Sequence, residues 1–171
     1  YVFARSGGTW TQQQKLLASD GAAGDQFGDA VALSGNTALV GAPGDNLGAT
    51  DQGSAYVFVH NGATWTQQQK LSDPNGVTGD KFGNAVAIKG DQAVVGAELD
   101  NSYQGSAHFY RREAGTWTRL KKQFAADGVA DDYFGCGVAI TDGGYLIGSR
   151  FDDVSGVDNR GSVYYYTCQE C

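Results

Sequence analysis

The chain has 171 residues, with 12 basic against 19 acidic side chains and a net charge of −7. Binding to a polyanion needs clustered Lys and Arg, so this balance argues against nucleic acid and anionic membrane surfaces as partners. No apolar run approaches membrane-spanning length, which argues against direct membrane insertion. The 26 Gly against 2 Pro, with 41% hydrophobic and 12% aromatic residues, suit a turn-rich chain with a real core.

The first ten residues, YVFARSGGTW, align with YVFVHNGATW at 56–65, and TWTQQQKL at 9–16 returns letter for letter at 64–71. The chain therefore opens within a repeat. Next, residues 27–35 (FGDAVALSG) predict a strand and 36–43 (NTALVGAP) its hairpin partner. Residues 53–59 (GSAYVFV) and 64–71 give a third and a fourth strand, with turn-forming SGN, GDNLGATDQG and HNGA between them. In the third strand Ala55, Val57 and Val59 fall on one face and Tyr56 and Phe58 on the other. Both faces are apolar, as expected of a strand packed between two sheets.

The same landmarks then recur in order. Trp10 returns as Trp65 and Trp117, and Phe27-Gly28 as Phe82-Gly83 and Phe134-Gly135, at steps of 55 and 52 residues. VGAP is followed by VGAE and IGSR, and QGSAYVF by QGSAHFY and RGSVYYY. No stretch keeps a helical apolar period. Units of this size with four strands predict an all-β chain, a β-propeller of four-stranded antiparallel blades. One sheet cannot bury both of its faces, and radial stacking covers each with the next blade. A β-solenoid is the alternative architecture. The predicted organisation is the end of a preceding blade (1–26), blades at 27–71 and 82–122, and a blade at 134–168 lacking its last strand. Residues 169–171 would start a cysteine-rich extension. Thirteen strands close no ring by themselves, so the remaining blades are expected from the same chain or from a partner chain.

Phe-Gly followed about fifteen residues later by Gly-Ala-Pro resembles the FG-GAP repeat of integrin α-like propellers. Phe27-Gly28 with Gly41-Ala42-Pro43 is a full match, Phe82-Gly83 with Gly96-Ala97-Glu98 lacks only the proline, and Phe134-Gly135 with Gly148-Ser149 is degenerate. The resemblance implies a ring of seven blades in an extracellular or cell-surface protein. Many such repeats carry a calcium loop between the first and second strands. Here those connections are SGN, KGDQ and TDGG, with at most one carboxylate each, whereas Ca²⁺ takes about six to eight oxygens. No cofactor is therefore expected, although acidic loops elsewhere leave calcium conceivable. Asp25, Asp80 and Asp132, each two residues before Phe-Gly, are expected to accept backbone hydrogen bonds in turns.

Catalytic patterns are scarce. His60 and His108 form no arrangement with Ser, Cys or Asp, and the pairs Asp131-Asp132 and Asp152-Asp153 sit among turn residues. No enzyme is expected. Trp10, Trp65 and Trp117 fit either inter-blade packing or a sugar-stacking ring, and packing is the simpler reading. The QQQK that follows suits an outer edge strand protected from edge-to-edge pairing. Loops between the second and third strands vary most, so candidate ligand-binding residues are placed there: Asp45, Asn46, Asp51, Asp100, Asn101, Tyr103, Arg150, Asp152, Asp153, Asp158 and Arg160.

Cys136 should lie roughly 20 Å from Cys168 across two strands, beyond the reach of a disulfide, and is expected to be a free thiol. Cys168 and Cys171 can bond each other. The leading expectation is a non-catalytic extracellular scaffold for adhesion or protein binding. The alternatives are a structural subunit of a surface appendage or filament, and a glycan-binding propeller of a larger secreted protein.

Overall fold

The computed structural model describes residues 1–167, so the expected Cys168–Cys171 bond lies outside the described residues. Four antiparallel sheets follow one another along the chain. The first is the hairpin β1 (Val2–Ser6) and β2 (Thr9–Gln14). The second has β3 (Val31–Ser34), β4 (Thr37–Ala42), β5 (Ser54–His60) and β6 (Trp65–Leu71), side by side in that order. The third repeats it with β7 (Val86–Lys89), β8 (Gln92–Ala97), β9 (Ser106–Glu113) and β10 (Thr116–Gln123). The fourth has β11 (Phe134–Ile140), β12 (Gly144–Ser149) and β13 (Ser162–Thr167). The described residues are all-β apart from one short turn at Asp100–Tyr103, and the sheets have the strand order of propeller blades.

Alternation along β5 has the expected result. Ala55 and Val57 join Leu39, Phe82, Val95 and Tyr110 in the core facing the third sheet. Tyr56 and Phe58 join Val40 and Ala42 in the core packed against Leu16, Ala18 and Phe27, which follow β2 in the chain. Between the third and fourth sheets a further core holds Val94, Phe109, Phe134, Tyr145 and Ile147.

One expectation needs correction. Residues 27–30 do not extend the first strand, because Gln26 and Gly28 have left-handed backbones (φ 58° and 98°). The segment bulges from the ladder and rejoins it through Gly28 N–H to Gly41 O (2.9 Å) and Gly41 N–H to Ala30 O (2.8 Å). This bulge is how Phe-Gly meets the neighbouring blade. Phe82 N–H donates to Gln52 O (3.0 Å) and Phe134 N–H to Gln104 O (2.8 Å), one sheet back. Both rings are fully buried, each worth about 2–3 kcal/mol relative to exposure. The glycine of Gly-Ala-Pro is required by the same insertion. A Cβ at Gly41 would stand 1.9 Å from Gly83 O, and one at Gly96 would stand 2.1 Å from Gly135 O.

TWTQQQKL has a second stitching role along the outer strands. The Gln14 side-chain amide donates to Trp65 O and accepts from Trp65 N–H, both at 2.8 Å. Gln69 does the same to Trp117, again at 2.8 Å. The polar strand thus pairs with the next blade rather than only shielding an edge. Trp117 is 3% exposed within the core, whereas Trp10, with no preceding sheet against it among the described residues, is 65% exposed. Packing accounts for the two inner tryptophans.

Candidate functional site

Each blade carries a polar cluster where the second and third strands meet. Its parts repeat: Asp45, Asp100 and Asp152 open the loop after the second strand, while Tyr56, His108 and Tyr164 come from the third. The Tyr56 hydroxyl lies 2.9 Å from both Asp20 Oδ1 and Asp45 Oδ2, and Ser54 Oγ donates to Asp45 at 2.5 Å. Lys70 Nζ lies 2.6 Å from each of the two carboxylates. Burial pushes the Tyr56 phenol up to about 12, while hydrogen bonds to Asp20 and Asp45 outweigh burial and raise the Lys70 ammonium. Tyr164 repeats the pattern, 2.7 Å from Asp127 and 2.9 Å from Asp152.

The middle blade departs from it. His108 replaces tyrosine, fully buried and 3.0 Å from Ser106 Oγ. Asp73 accepts from Arg119 (2.6 Å) and Lys122 (2.9 Å), and Lys122 also lies 2.6 Å from Asp100. Burial pushes His108 down to about 4, so the imidazole is neutral near pH 7. Lys122 and Arg119 hold Asp73 well below the usual carboxylate range against the opposing effect of its burial. Two acids and two bases balance.

Asp73, Asp100 and His108 come close enough to ligate one metal ion. The Lys122 ammonium, however, already stands between the two carboxylates and supplies the cation. The hairpins where the resemblance would place calcium fit it no better. The first hairpin has no carboxylate, and in the other two Asp91 pairs with Arg112 (2.7 Å) and Asp142 with Lys89. Asp25, Asp80 and Asp132 are buried and accept from Ala22, Val77 and Val129 N–H at 2.6–2.7 Å, as turn residues do.

A cavity of about 720 Å³ lies between the β1–β2 hairpin and β3, lined by Phe3, Leu16, Phe27, Val31 and Leu33. Its apolar wall is blade-packing surface of the kind that β4, β5 and β7 cover at the next junction.

The edge formed by the second-to-third-strand loops and the blade-to-blade loops is different. At one junction Lys81 pairs with Asp51 at 2.9 Å. At the equivalent position of the next junction, Tyr133 stacks on Tyr103, with ring centroids 5.7 Å apart and planes at 21°. Phe151 meets Tyr133 edge-on at 5.2 Å, and the Arg150 guanidinium lies 4.6 Å from the Tyr133 centroid. Arg150 is paired with Glu98 at 2.8 Å.

The eleven residues singled out from the sequence divide accordingly. Asp45, Asp100 and Asp152 are buried members of the polar clusters, each held by a Lys or Tyr of its own blade. Asn46 accepts Asp51 N–H (2.7 Å) and Asp153 accepts Asn159 N–H (2.7 Å), which orders their loops. Asn101 donates to Gln104 (2.6 Å). Asp158 and Arg160 are exposed on the last loop. Tyr103 and Arg150 share one surface with Tyr133 and Phe151, which the sequence reading missed. The signal was there in the repeat, since Asp51 and Lys81 give way to Tyr103 and Tyr133 together. Cys136 is a partly buried free thiol, and burial raises its pKa.

The sequence model of the FG-GAP repeat matches residues 10–58, 65–110 and 117–166. No curated protein matches the chain significantly.

Proposed function

The chain belongs to the FG-GAP repeat family, and on that premise we propose that it is a non-catalytic extracellular scaffold for adhesion or protein binding. Its ligand surface is the loop edge that carries Tyr103, Tyr133, Arg150 and Phe151. One observation supports this reading above the rest: the polar groups of the strands are bonded to one another within the blades, while aromatic and arginine side chains stay partly exposed on the loops. Tyr and Arg on a rigid frame are the groups from which binding hot spots are built. Propeller domains of this kind are typical of adhesion and binding proteins, and no helix among the described residues is long and apolar enough to cross a membrane. Exposed Val31 and Leu33 at one end, and Val163 and Tyr165 at the other, support further blades packing there, from the same chain or a partner.

The test is exchange of the loops at 99–104 and 150–161 for the loop at 44–52, followed by binding to immobilised extracellular matrix proteins and cell surfaces. Loss of binding with an unchanged melting temperature is expected. Undiminished binding would overturn the assignment. Concentration-dependent assembly by light scattering, without any ligand, would favour a structural subunit instead.

A further inference from the structure

Beside the aromatic stack lies a depression of about 480 Å³, within the range of small-ligand sites. Tyr103 walls one side, and Thr78, Asp80, Lys81, Asn101 and Ser102 are among the residues opposite and around it. We propose that this depression binds a neutral sugar ring, stacked on Tyr103; the inference rests on the loop edge being the binding surface.

Three observations converge on that chemistry. The first is pre-organisation. Tyr103 is 47% exposed, yet its ring is fixed from behind by Tyr133, which Phe151 and Arg150 hold in turn. A platform that does not move loses little entropy when a ligand covers it. The second is backbone conformation. Asn101, Ser102 and Tyr103 are three consecutive non-glycine residues in the left-handed region, with φ of 52°, 60° and 64°. Such conformations persist where the surroundings enforce them, and they concentrate at ligand clamps. Here they set an amide, a hydroxyl and an aromatic face side by side. The third is charge. Both cations near the depression are already matched, Lys81 by Asp51 and Arg150 by Glu98. An acidic ligand would have to break one of these pairs, and the one carboxylate lining the depression, Asp80, is buried and turned to the Val77 N–H of its own loop. What remains is an apolar face with neutral donors and acceptors around it. A pyranose, with C–H bonds on one face and hydroxyls at its rim, complements that pattern.

The experiment is binding of the intact chain to an array of neutral glucans, galactans and mannans beside sialylated and sulfated glycans. Saturation-transfer NMR with the best neutral trisaccharide follows. Expected is a neutral glycan whose affinity falls at least about tenfold in Tyr103→Ala and is kept in Tyr103→Phe, the size of effect one stacked ring supplies. Trp10→Ala should change nothing, although that ring is more exposed. Binding of acidic glycans only, of no neutral glycan, or of neutral glycans equally well by Tyr103→Ala would each overturn the proposal. A protein ligand that is lost on loop exchange, without any neutral glycan, would overturn the sugar and leave the scaffold reading intact. Glycan binding that survives loop exchange would overturn both.

Discussion

Alanine at Gly96 tests whether blade contact, rather than turn flexibility, makes the second glycine of the repeat necessary. Gly96 lies in β8 and has no left-handed backbone, so propensity alone would favour alanine there by a few tenths of a kcal/mol. Its Cβ, however, would stand 2.1 Å from Gly135 O and 3.1 Å from Gly135 C. Normal contact requires the bulge of the next blade to retreat by about 1 Å. That retreat loosens the buried Phe134 and its 2.8 Å bond to Gln104 O. Overpacking of about 1–3 kcal/mol and a strained hydrogen bond of about 1 kcal/mol give a loss of about 3 kcal/mol. For a chain of this length that lowers the melting temperature by roughly 6–12 °C in circular dichroism. Gly148→Ala is the matched control at the same motif position. Its Cβ would meet Cys136 Sγ at 3.5 Å and Gly137 O at 3.6 Å, ordinary contacts, so its melting temperature should stay near that of the unmodified chain. If Gly96→Ala costs less than about 1 kcal/mol, or Gly148→Ala costs as much, the blade-contact account is wrong.

Lys122→Met leaves Asp73 and Asp100 buried without their shared cation and should cost about 3 kcal/mol or more in urea unfolding; a smaller loss would mean the carboxylates find water. Stability should fall as pH drops from 6.5, the ordinary histidine value, towards about 4, because over that window the unfolded chain protonates His108 and the folded chain does not. The effect integrates to about 3 kcal/mol, is absent above pH 7, and should be flattened in His108→Gln when melting is followed against pH. Gln69→Ala removes both side-chain bonds to the Trp117 backbone and should cost about 1–3 kcal/mol, whereas Gln13→Ala, whose side chain is exposed, should be neutral by the same unfolding assay.

Much of the architecture was legible because the repeat is written in the packing residues. The alternation of Ala55, Tyr56, Val57 and Phe58 named both faces of β5, and each face found the core expected of it. The outer strand was legible as a strand but not as a stitch. Gln14 and Gln69 look like solvent-facing polar residues until a neighbouring blade brings a tryptophan backbone beside them. Residues 27–30 were misread as strand, since an alternating pattern does not reveal that Gln26 and Gly28 turn left-handed to insert the phenylalanine. In the loops, composition pointed to the acids, yet Asp45, Asp100 and Asp152 are consumed by Lys70, Lys122 and Tyr164, residues far away in the sequence. Tyr133 escaped notice because its partner, Tyr103, lies 30 positions earlier in another blade's loop.

The bidentate glutamine bond bears on how such a chain can change over generations. Gln14 and Gln69 read only the amide and carbonyl of the following outer strand, groups that nearly every residue owns, and the phenylalanine inserts are held by backbone carbonyls as well. A junction made this way does not identify which unit stands on either side. Duplicating or deleting one 52–55-residue unit would therefore create seams chemically equivalent to the old ones, while each copied loop is released to drift. The outer strand spelled identically at 9–16 and 64–71, beside dissimilar loops, is the pattern that such copying leaves.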